Sequence, residues 1–465
     1  MSSIKALTLN GTDIVLDPAV IDTFRADLRG KLLTAAEVDY DPARRLWNAM
    51  IDKHPAMIVR CEGAADVGKA VRFADAHDLL ISVRGGGHNV AGTAVCDGGL
   101  MIDLSPMRGI QVDPSARTAV AQPGLLWQDF DHETQAYGLA TTGGVVGETG
   151  IAGLTLGGGV GWLVRKYGLS CDNLLAADVV TADGQLRRAS PTTNQDLFWA
   201  LRGGGGNFGV VTAFQYRLHE VSTILGGLII HPRTAARDVI RFHRDFITSA
   251  PEELTSYVGL LTAPDGNPVV AMVSCYCGDL QEGERVIRPL REFGSPLMDA
   301  MQAMPYTSMQ GLFGPAFPWN NRNYWKSSYL REFPDAAVDT VVEYAGHCQS
   351  ALSAVVIEYY GGAVSRVAAD ATAFAHREAN FNILILGQWK EATEDALHVQ
   401  WTRDCWQAIN PWTSSAVYMN ALSAGEDPQA VRAAYGTNYT RLAALKAQLD
   451  PKNLFRMNQN ITPAT

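Results

Sequence analysis

One histidine directly follows a run of three glycines, in a loop where its ring nitrogen could react with a bound cofactor. The segment Arg84-Gly85-Gly86-Gly87-His88-Asn89 directly follows a predicted strand, and Gly92 lies three residues further on. Glycine lets successive backbone N–H groups point into one concavity and lets a ligand approach the chain closely. A lone histidine is usually structural, but a glycine loop is a poor place to bury an imidazole in a core. The position therefore favours His88 as a nucleophile beside a cofactor.

Two further glycine clusters indicate a phosphate-binding site. One runs from Gly143 to Gly161 and the other from Gly203 to Gly209, and residues 85–209 hold 25 of the 44 glycines. Backbone N–H donors can bind a pyrophosphate without added basic charge, which suits a chain of net charge -10. Close-packed turns would explain any one cluster, but they explain three together poorly.

The third cluster contains a pattern that resembles a dinucleotide fingerprint. Gly204-Gly205-Gly206-Asn207-Phe208-Gly209 matches G-x-G-x-x-G, a motif that follows a strand and opens a helix in a true Rossmann site. Here residues 196–201 are predicted to be helical, and residues 210–214 alternate like a strand. Because this order is inverted, we reject a Rossmann site.

Composition excludes several classes of protein. The chain has 465 residues, enough for two or three domains, and its 47% hydrophobic content excludes a disordered protein. With 38 Lys+Arg against 48 Asp+Glu, no nucleic-acid partner is expected. No apolar run approaches the roughly 18 residues of a membrane span, so no membrane association is expected. Residues 1–10 contain no signal-peptide core.

The cysteine pattern bears on compartment and metals. An odd, scattered set without an export signal predicts reduced thiols and a cytoplasmic location. No cysteine or histidine pair has zinc-site spacing, so no metal is predicted. The seven cysteines are Cys61, Cys96, Cys171, Cys275, Cys277, Cys348 and Cys405.

The periodicity predicts mixed α/β structure to about residue 222. Strands are expected at 56–61, 80–84, 100–104, 177–181 and 210–216, with helices at 65–76, 125–137 and 194–201. From 223 to 412, β-like runs such as 269–276 and 354–360 alternate with helices such as 281–293. An alanine- and leucine-rich tail predicts one helix over 428–449. We expect domains at 1–222 and 223–412, with 413–465 returning to the first.

Taken jointly, motifs along nearly the whole chain resemble the berberine-bridge-enzyme-like branch of the vanillyl-alcohol oxidase superfamily. The layout is similar to that of bacterial 6-hydroxynicotine oxidases. The motifs are Ser82-Val83-Arg84-Gly85-Gly86-Gly87-His88, residues 150–159 (GIAGLTLGGG), 165–173 (RKYGLSCDN), 196–205 (DLFWALRGGG), Tyr360-Gly361-Gly362, 435–439 (YGTNY) and 450–461 (DPKNLFRMNQNI).

The resemblance implies an α+β fold: a two-domain PCMH-type FAD-binding fold, whose substrate domain is an antiparallel sheet flanked by helices. It also implies FAD, attached through its 8α-methyl group to His88. A second bond, from a cysteine to flavin C6, is expected to be absent because Val146 occupies that cysteine's place. The cofactor-binding residues implied are Val83, Arg84, Gly85, Gly86, Gly87, His88, Asn89, Gly92, Gly144, Thr149, Gly150, Gly153, Gly157, Gly158, Gly161, Asn420, Asn458 and Asn460.

The family's chemistry requires a base that removes a proton while a hydride leaves the substrate for flavin N5. Tyr418 matches the family's Y-x-N strand and is implied as this base, with a lowered pKa; the alternative is an aromatic residue on a buried strand. Glu358 matches the acidic partner of that tyrosine in sugar-oxidising members; the alternative is an exposed strand carboxylate. The apolar middle of residues 382–389 argues against a second base there. Lys326 is interpreted as a surface lysine.

The resulting prediction is an FAD-dependent oxidase that acts on an alcohol, a sugar or an amine. Its partners would be a small-molecule substrate and, as electron acceptor, O2. Two alternatives stay open: a flavin-dependent dehydrogenase that uses another acceptor, and a flavin-binding protein without turnover. The missing second link slightly favours a small or aromatic substrate over an oligosaccharide. The sequence sets no oligomeric state.

Overall fold

The computed structural model describes residues 3–414, 416–425 and 427–465. Within these ranges, the strands are β1 (Ile4–Leu7), β2 (Asp13–Leu16), β3 (Lys31–Leu33), β4 (Met57–Arg60), β5 (Ile81–Arg84), β6 (Leu100–Asp103), β7 (Ile110–Asp113), β8 (Thr118–Ala121), β9 (Leu139–Ala140), β10 (Leu174–Val180), β11 (Leu186–Ala189), β12 (Val210–Arg217), β13 (His219–Glu220), β14 (Thr223–Pro232), β15 (Leu254–Thr262), β16 (Pro268–Tyr276), β17 (Met298–Asp299), β18 (Gln302–Pro305), β19 (Arg322–Leu330), β20 (Ala354–Tyr359) and β21 (Phe381–Trp389).

The helices of the same ranges are α1 (Pro18–Asp27), α2 (Tyr40–Arg44), α3 (Ala64–Ala76), α4 (Trp127–Gln135), α5 (Ile151–Leu156), α6 (Val164–Tyr167), α7 (Gln195–Leu201), α8 (Ala236–Ser249), α9 (Leu280–Glu292), α10 (Tyr306–Gly311), α11 (Asp335–Gly346), α12 (Gly362–Arg366), α13 (Asp395–Ile409), α14 (Pro428–Tyr435) and α15 (Tyr439–Leu449). Short 3-10 turns lie at Ser170–Asn173, Gly205–Phe208, Arg233–Ala235, Gly314–Ala316, Ala392–Glu394, Asn410–Trp412, Met419–Ala421 and Gly436–Asn438.

A four-stranded sheet positions the histidine loop. Its order is β3-β4-β6-β5, and β6 runs parallel to both β4 and β5. Parallel strands are buried on both faces, which explains the continuous apolar run in β4 and β6. The apolar face of α3, with Val67, Ala70, Val71 and Ala74, is buried in the same core, as its spacing predicts. The glycine loop with His88 begins at the carboxyl end of β5.

A five-stranded antiparallel sheet of order β11-β10-β12-β8-β7 follows in the chain. The third glycine cluster connects helix α7 to strand β12 through a 3-10 turn at Gly205–Phe208. A Rossmann fingerprint needs the opposite order, strand then helix. The inverted order predicted from the sequence is therefore confirmed.

The middle of the chain forms an antiparallel sheet of eight strands. Its path is β17-β14-β16-β15-β20-β21-β19, with β18 also paired to β14. Side chains on one face, such as Ile357 and Ile383, share a core with α8, α11 and α13. Because successive strand side chains alternate, the opposite face presents Leu384 and Tyr329, which pack with Val160 from the N-terminal part. The sheet thus separates a helix-covered face from a face that meets the glycine loops.

The tail differs from the predicted single helix over 428–449. It is two helices, α14 and α15, separated by a 3-10 turn that begins at Gly436. Gly436 has a φ of +53°, a left-handed conformation that ends a helix and that glycine adopts without strain. An added Cβ at Gly436 would lie 3.0 Å from Cε1 of His376. Helix α15 then packs Leu442 into the core that contains Trp199.

Candidate active site

A large cavity lies between the glycine loops and the sheet face, with about 1760 Å³ of empty space including its open mouth. Most of the predicted site residues line it. They are Val83, Gly85, Gly86, Gly87, His88, Asn89, Gly144, Thr149, Gly150, Gly153, Asn420 and Asn458, with the predicted catalytic residues Tyr418 and Glu358.

Six predicted residues are not in the cavity lining: Arg84, Gly92, Gly157, Gly158, Gly161 and Asn460. The guanidinium of Arg84 donates instead to the carbonyl of Ala43. Gly92 has a φ of +63°, and its added Cβ would lie 2.4 Å from Ile51, so this glycine forms a packed turn. Arg84 and Gly92 thus support the His88 loop on the side away from the cavity.

The other glycines among the six make room for neighbouring groups. An added Cβ on Gly157 would lie 2.0 Å from Oδ1 of Asn420, and one on Gly161 would lie 1.8 Å from the carbonyl oxygen of Gly143. Gly158 has a φ of +115° and lies against Phe374. The second glycine cluster therefore permits close packing as well as ligand approach.

Within the lining, Gly86 and Gly150 bring the first two glycine clusters into contact. An added Cβ on Gly86 would lie 2.5 Å from the Cα of Gly150, so neither position tolerates a side chain. The third cluster also reaches the cavity, through Gly205, Gly206 and Gly209. All three clusters predicted to bind phosphate therefore face one space.

His88 is held beside the cavity by an aromatic neighbour. Its imidazole stacks on the Trp47 indole, with ring centroids 4.2 Å apart and planes at 17°. Burial lowers the pKa of His88 to about 4, so the ring is neutral at pH 7. Its Nε2 is buried, and nothing in the described ranges hydrogen-bonds to it. A neutral imidazole has one unprotonated ring nitrogen, which can accept a hydrogen bond or act as a nucleophile.

Tyr418 enters the cavity with two N–H groups directed at its hydroxyl oxygen. The backbone N–H of Gly159 donates to Oη at 3.2 Å, and the side-chain amide of Asn420 donates at 3.0 Å. Burial raises the pKa of Tyr418, while these two donors act in the opposite direction. Burial outweighs the two donors, so the pKa of Tyr418 is raised and not lowered as the resemblance implies.

The local backbone at Tyr418 also differs from the strand expected from the Y-x-N pattern. Tyr418 is extended but unpaired with any strand of the described chain, and Met419–Ala421 form a 3-10 turn directly after it. Its backbone N–H donates to Oγ of Ser327 at 2.8 Å instead of to a neighbouring strand. A hydrogen bond to a side chain, and not pairing with a neighbouring strand, thus fixes the position of Tyr418.

Glu358 is buried, with 5% of its surface exposed, so the alternative of an exposed strand carboxylate is wrong. Its Oε2 accepts hydrogen bonds from the hydroxyl of Tyr360 at 2.7 Å and from Nδ2 of Asn382 at 2.8 Å. Burial raises the pKa of Glu358 to about 7. The carboxyl group therefore exchanges its proton close to neutral pH.

Strand alternation on β19 separates a cavity face from a helix face. Trp325 lines the cavity, and Ser327, two residues on, supports Tyr418. Lys326 points to the other face, where its Nζ lies 4.7 Å from the centroid of the Trp406 ring. With 9% of its surface exposed, Lys326 is not the surface lysine predicted from the sequence. It is a buried residue under helix α13.

Sequence reasoning missed part of the lining. Trp325 and Leu384 lie on strands of the eight-stranded sheet. The alternation of side chains along each strand shows that every second residue shares a face, but only the tertiary fold decides which face lines the cavity. Further lining residues that were not predicted are Ile81, Thr93, Ala94, Leu104, Val145, Ala152, Leu154, Leu156, Val160, Val210, Val211, Met419, Ala421, Phe455, Met457 and Gln459.

The cysteines lie away from this cavity. Val146 lines it, whereas none of the seven cysteines, all in the described ranges, is among the lining residues. Over the same ranges, no group of three or more His, Cys, Asp or Glu side chains is arranged to hold a metal ion. Nor does any described helix have both the length and the apolarity to cross a membrane.

The residues present fit FAD. Glycines of three clusters line one cavity, where the absence of side chains lets a pyrophosphate approach the backbone closely. Three lining groups are buried without a protein hydrogen-bond partner in the described chain: Nε2 of His88, Nε1 of Trp325 and Oδ1 of Asn458. Such groups are stabilised by a polar ligand. The donors, the acceptor and the neutral imidazole suit a flavin dinucleotide.

Comparisons with known proteins agree with this geometry. Residues 55–190 match the family described as FAD binding domain, and residues 417–462 match the family described as berberine and berberine like. The first match contains the His88 loop and the second glycine cluster. The second contains Tyr418, Asn420 and the asparagines of the tail.

Individual proteins match over nearly the whole chain. (R)-6-hydroxynicotine oxidase of Paenarthrobacter nicotinovorans is 31% identical over 457 residues, covering 94% of this chain and 97% of its own. An FAD-linked oxidoreductase of Dictyostelium discoideum is 29% identical, covering 96% and 97%.

Solved structures give the same result. The crystal structure of 6-hydroxy-D-nicotine oxidase from Arthrobacter nicotinovorans superposes with a TM-score of 0.86 at 30% identity, covering 94% of this chain and 98% of the other. Xylooligosaccharide oxidase from Myceliophthora thermophila has a TM-score of 0.86 at 23% identity, covering 96% and 100%, and so shares the fold. The fold, the cavity and the matched relatives together show that this chain belongs to the berberine-bridge-enzyme-like family of FAD-linked oxidoreductases, enzymes with the PCMH-type FAD-binding fold.

Proposed function

We propose that this enzyme oxidises a small alcohol or amine, with FAD bound covalently through His88 alone and with O2 as the electron acceptor. One observation carries the proposal: the hydroxyl of Tyr418, with two N–H donors on it, faces the cavity that His88 also lines. A proton acceptor and an attachment point for the cofactor therefore share one enclosed space.

The single covalent link is supported by what lines the cavity. The neutral imidazole of His88 has a buried Nε2 without a partner in the described chain. Val146 offers no thiol where a second link would form, and no described cysteine is among the lining residues. Backbone N–H groups of the glycine loops and Asn458 would hold the rest of FAD.

Tyr418 is proposed as the base that takes the substrate's O–H or N–H proton. Bound FAD supplies the hydride acceptor. The N–H donors from Gly159 and Asn420 stabilise the phenolate form of the tyrosine, which lowers the cost of ionising it in a buried site. Tyr418 would accept the substrate proton in its phenolate form, which these two donors stabilise and burial opposes.

Glu358 is proposed as a second proton acceptor in the same cavity. The two hydrogen bonds to its Oε2 come from Tyr360 and Asn382, and no hydrogen bond to Oε1 from the described residues is observed. With a pKa of about 7, the carboxylate forms near neutral pH. Glu358 would then bind a substrate N–H or O–H and accept its proton.

The sheet side of the cavity favours a small, flat substrate. Its lining combines the aromatic face of Trp325, the side chain of Leu384 and the carboxyl group of Glu358. Several hydroxyl groups would need several polar partners, whereas one amine or alcohol needs one. Among the relatives, one is named for 6-hydroxynicotine and others for oligosaccharides. The apolar lining favours a substrate closer to the first.

The test has two parts. First, protein denatured in acid should retain yellow flavin, and a His88→Ala variant should release it. Second, a panel of alcohols, amines and sugars is added under anaerobic conditions, and bleaching of the flavin absorption identifies a substrate. Re-admitted air should restore the absorption and release peroxide.

Each alternative has its own outcome. Bleaching followed by slow recovery in air supports a dehydrogenase that uses another acceptor. No bleaching across the panel supports a flavin-binding protein without turnover. Acid release of flavin from the unmodified protein would contradict the covalent link.

A further inference from the structure

Trp47 forms the stacking surface for the His88 imidazole, although it precedes the matched FAD-binding segment. The two rings are nearly parallel, with centroids 4.2 Å apart. The backbone N–H of Trp47 also donates to the carbonyl of Gly87 at 3.1 Å. Trp47 is fully buried. Two contacts therefore fix the indole against the histidine loop.

The indole of Trp47 also contacts strand β19 and the loop that precedes it. Its indole N–H donates to the carbonyl of Phe317 at 2.9 Å. Its ring meets that of Trp325 edge to face, with centroids 5.4 Å apart and planes at 68°. Trp325 lines the cavity. The contact between the two indoles therefore connects a cavity-lining residue to the tryptophan on which His88 stacks.

The next residue, Asn48, connects the same two parts of the molecule by hydrogen bonds. Its side-chain amide donates to the carbonyl of Val90 at 2.8 Å and to that of Asn323 at 2.9 Å. Its Oδ1 accepts the backbone N–H of Asn323 at 2.9 Å. The dipeptide Trp47-Asn48 therefore holds the histidine loop against strand β19, and the indole cannot move independently of either.

Stacking on Trp47 and a hydrogen bond to the backbone of His88 itself both act on the orientation of the imidazole. Rotation about the bond to a planar ring is broad for histidine, so neighbouring contacts decide the plane of the ring. No protein group in the described ranges hydrogen-bonds to Nε2 and fixes it from the cavity side. The Trp47 indole is the aromatic surface that lies parallel to this ring.

From these contacts we infer that Trp47 is a positioning residue for covalent attachment of the flavin, acting through His88. The inference rests on the proposed His88 link. Attachment would join a ring nitrogen of His88 to the 8α carbon and would remove one hydrogen from the imidazole ring and one from the methyl group. The two protons and two electrons pass through the flavin ring to dioxygen, which leaves as hydrogen peroxide. Trp47 contributes by holding the imidazole in a fixed plane at the cavity lining.

The test compares Trp47→Leu with Trp47→Phe, since leucine is apolar without a ring face and phenylalanine keeps one. Each full-length protein, produced under riboflavin limitation, receives FAD, and covalent flavin is followed by fluorescence of the denatured band. Total bound flavin is measured in the native state. We expect Trp47→Leu to bind FAD but to attach it about tenfold more slowly, and Trp47→Phe to restore most of the rate.

The outcomes separate the two proposals. Attachment at the unmodified rate in Trp47→Leu overturns the positioning role alone. An unmodified protein that never acquires acid-stable flavin overturns the His88 link and this inference with it. His88→Ala gives the baseline without attachment. Should Trp47→Leu fail to bind FAD, Trp47→Met provides a second aliphatic variant, and a rate equal to that of Trp47→Phe would again contradict the role.

Discussion

The side-chain amide of Asn420 donates to the hydroxyl oxygen of Tyr418 at 3.0 Å, and the same amide donates to the carbonyl of Leu154 at 3.1 Å. The space that this amide occupies exists because residue 157 is glycine. The Y-x-N pattern thus works as a unit in which the asparagine sets the hydrogen bonding of the tyrosine. The second glycine cluster provides the room for it.

Tyr418→Phe removes the proposed base and leaves the aromatic packing in place. We expect kcat to fall by about 10²–10⁴, the usual contribution of a positioned general base. Covalent flavin content should remain that of the unmodified protein, since His88 is untouched. Steady-state kinetics and in-gel flavin fluorescence check the two expectations. A variant with unchanged kcat would exclude Tyr418 as the base.

Gly157→Ala tests the space occupied by Asn420. The added Cβ would lie 2.0 Å from Oδ1, so the amide must leave Tyr418. We expect a fall in kcat of about tenfold, the effect of losing one hydrogen bond to a charged group. Gly311→Ala is the matched control, because nothing lies within 4 Å of its added Cβ. Equal kcat in the two variants would contradict the arrangement.

Glu358→Gln tests the second proton acceptor. Burial raises the pKa of this carboxyl group to about 7, so the carboxylate is present above that pH and lost below it. If the carboxylate is the working form, kcat/KM rises with pH through about 7 in the unmodified enzyme. In the glutamine variant this rise should disappear. A pH profile of the same shape in both proteins would assign the ionisation elsewhere.

We expect the buried carboxyl group of Asp131 to make the protein less stable as pH rises toward neutrality. Asp131 lies on α4, and its Oδ2 accepts a hydrogen bond from Gln310 on α10 at 2.8 Å. Burial raises the pKa of Asp131 from 3.8 to about 7. Because the folded state holds the proton more tightly, the protonated Asp131 contributes to the free energy of unfolding. This contribution is fully present below pH 3.8 and is lost as pH rises through about 7. The slope is at most about 1.4 kcal/mol per pH unit.

Asp131→Asn removes this ionisation while keeping the shape of the side chain. The variant should be more stable than the unmodified protein at pH 8, and the difference should shrink toward pH 4. Urea unfolding at several pH values measures it. Glu133→Gln, an exposed carboxylate on the same helix, is the control. A difference in stability that does not vary with pH would contradict the assignment.

Most of the helices and strands that local sequence patterns predicted are present in the structure. The apolar spacing of α3 and the helix-to-strand order around Gly204–Gly209 are confirmed, because both depend on contacts within a few residues of the chain. The break at Gly436 was missed, since composition favours a helix on both sides of it. Gly436 has a φ of +53° and lies close to His376, a residue distant in sequence, and neither feature is visible in the composition.

The residues of the candidate site also divide into those that local sequence patterns predicted and those that depend on the tertiary fold. Glycine runs and family motifs in the sequence indicated the His88 loop, Tyr418 and Glu358. The burial of Lys326 and the stacking of Trp47 on His88 were not predicted, because each depends on two segments that meet only in the fold. Side chains on β19 alternate between the cavity and the helices, and periodicity alone does not say which face is which.

A buried ion pair of Lys446 and Asp450 lies behind the cavity. Nζ of Lys446 is fully buried and donates to Oδ2 of Asp450 at 2.7 Å, to the carbonyl of Asn207 at 2.7 Å and to that of Phe455 at 2.9 Å. These bonds join the third glycine cluster to the tail segment, and Phe455 and Asn458 of that segment line the cavity. The lysine therefore links α15 to two walls of the flavin site.

Lys446→Met leaves Asp450 buried without its cation, which costs about 3–5 kcal/mol when one partner of a buried pair is removed. We expect a lower Tm and reduced flavin content, measured by calorimetry and by the flavin-to-protein absorbance ratio. The double variant Lys446→Met/Asp450→Asn removes the uncompensated charge and should recover part of the Tm. The recovery is partial because Leu454 and Phe455 donate their backbone N–H groups to different oxygens of Asp450, and the amide keeps only one of these acceptors. Equal Tm values for the single and double variants would show that the cost comes from lost packing and not from the stranded carboxylate.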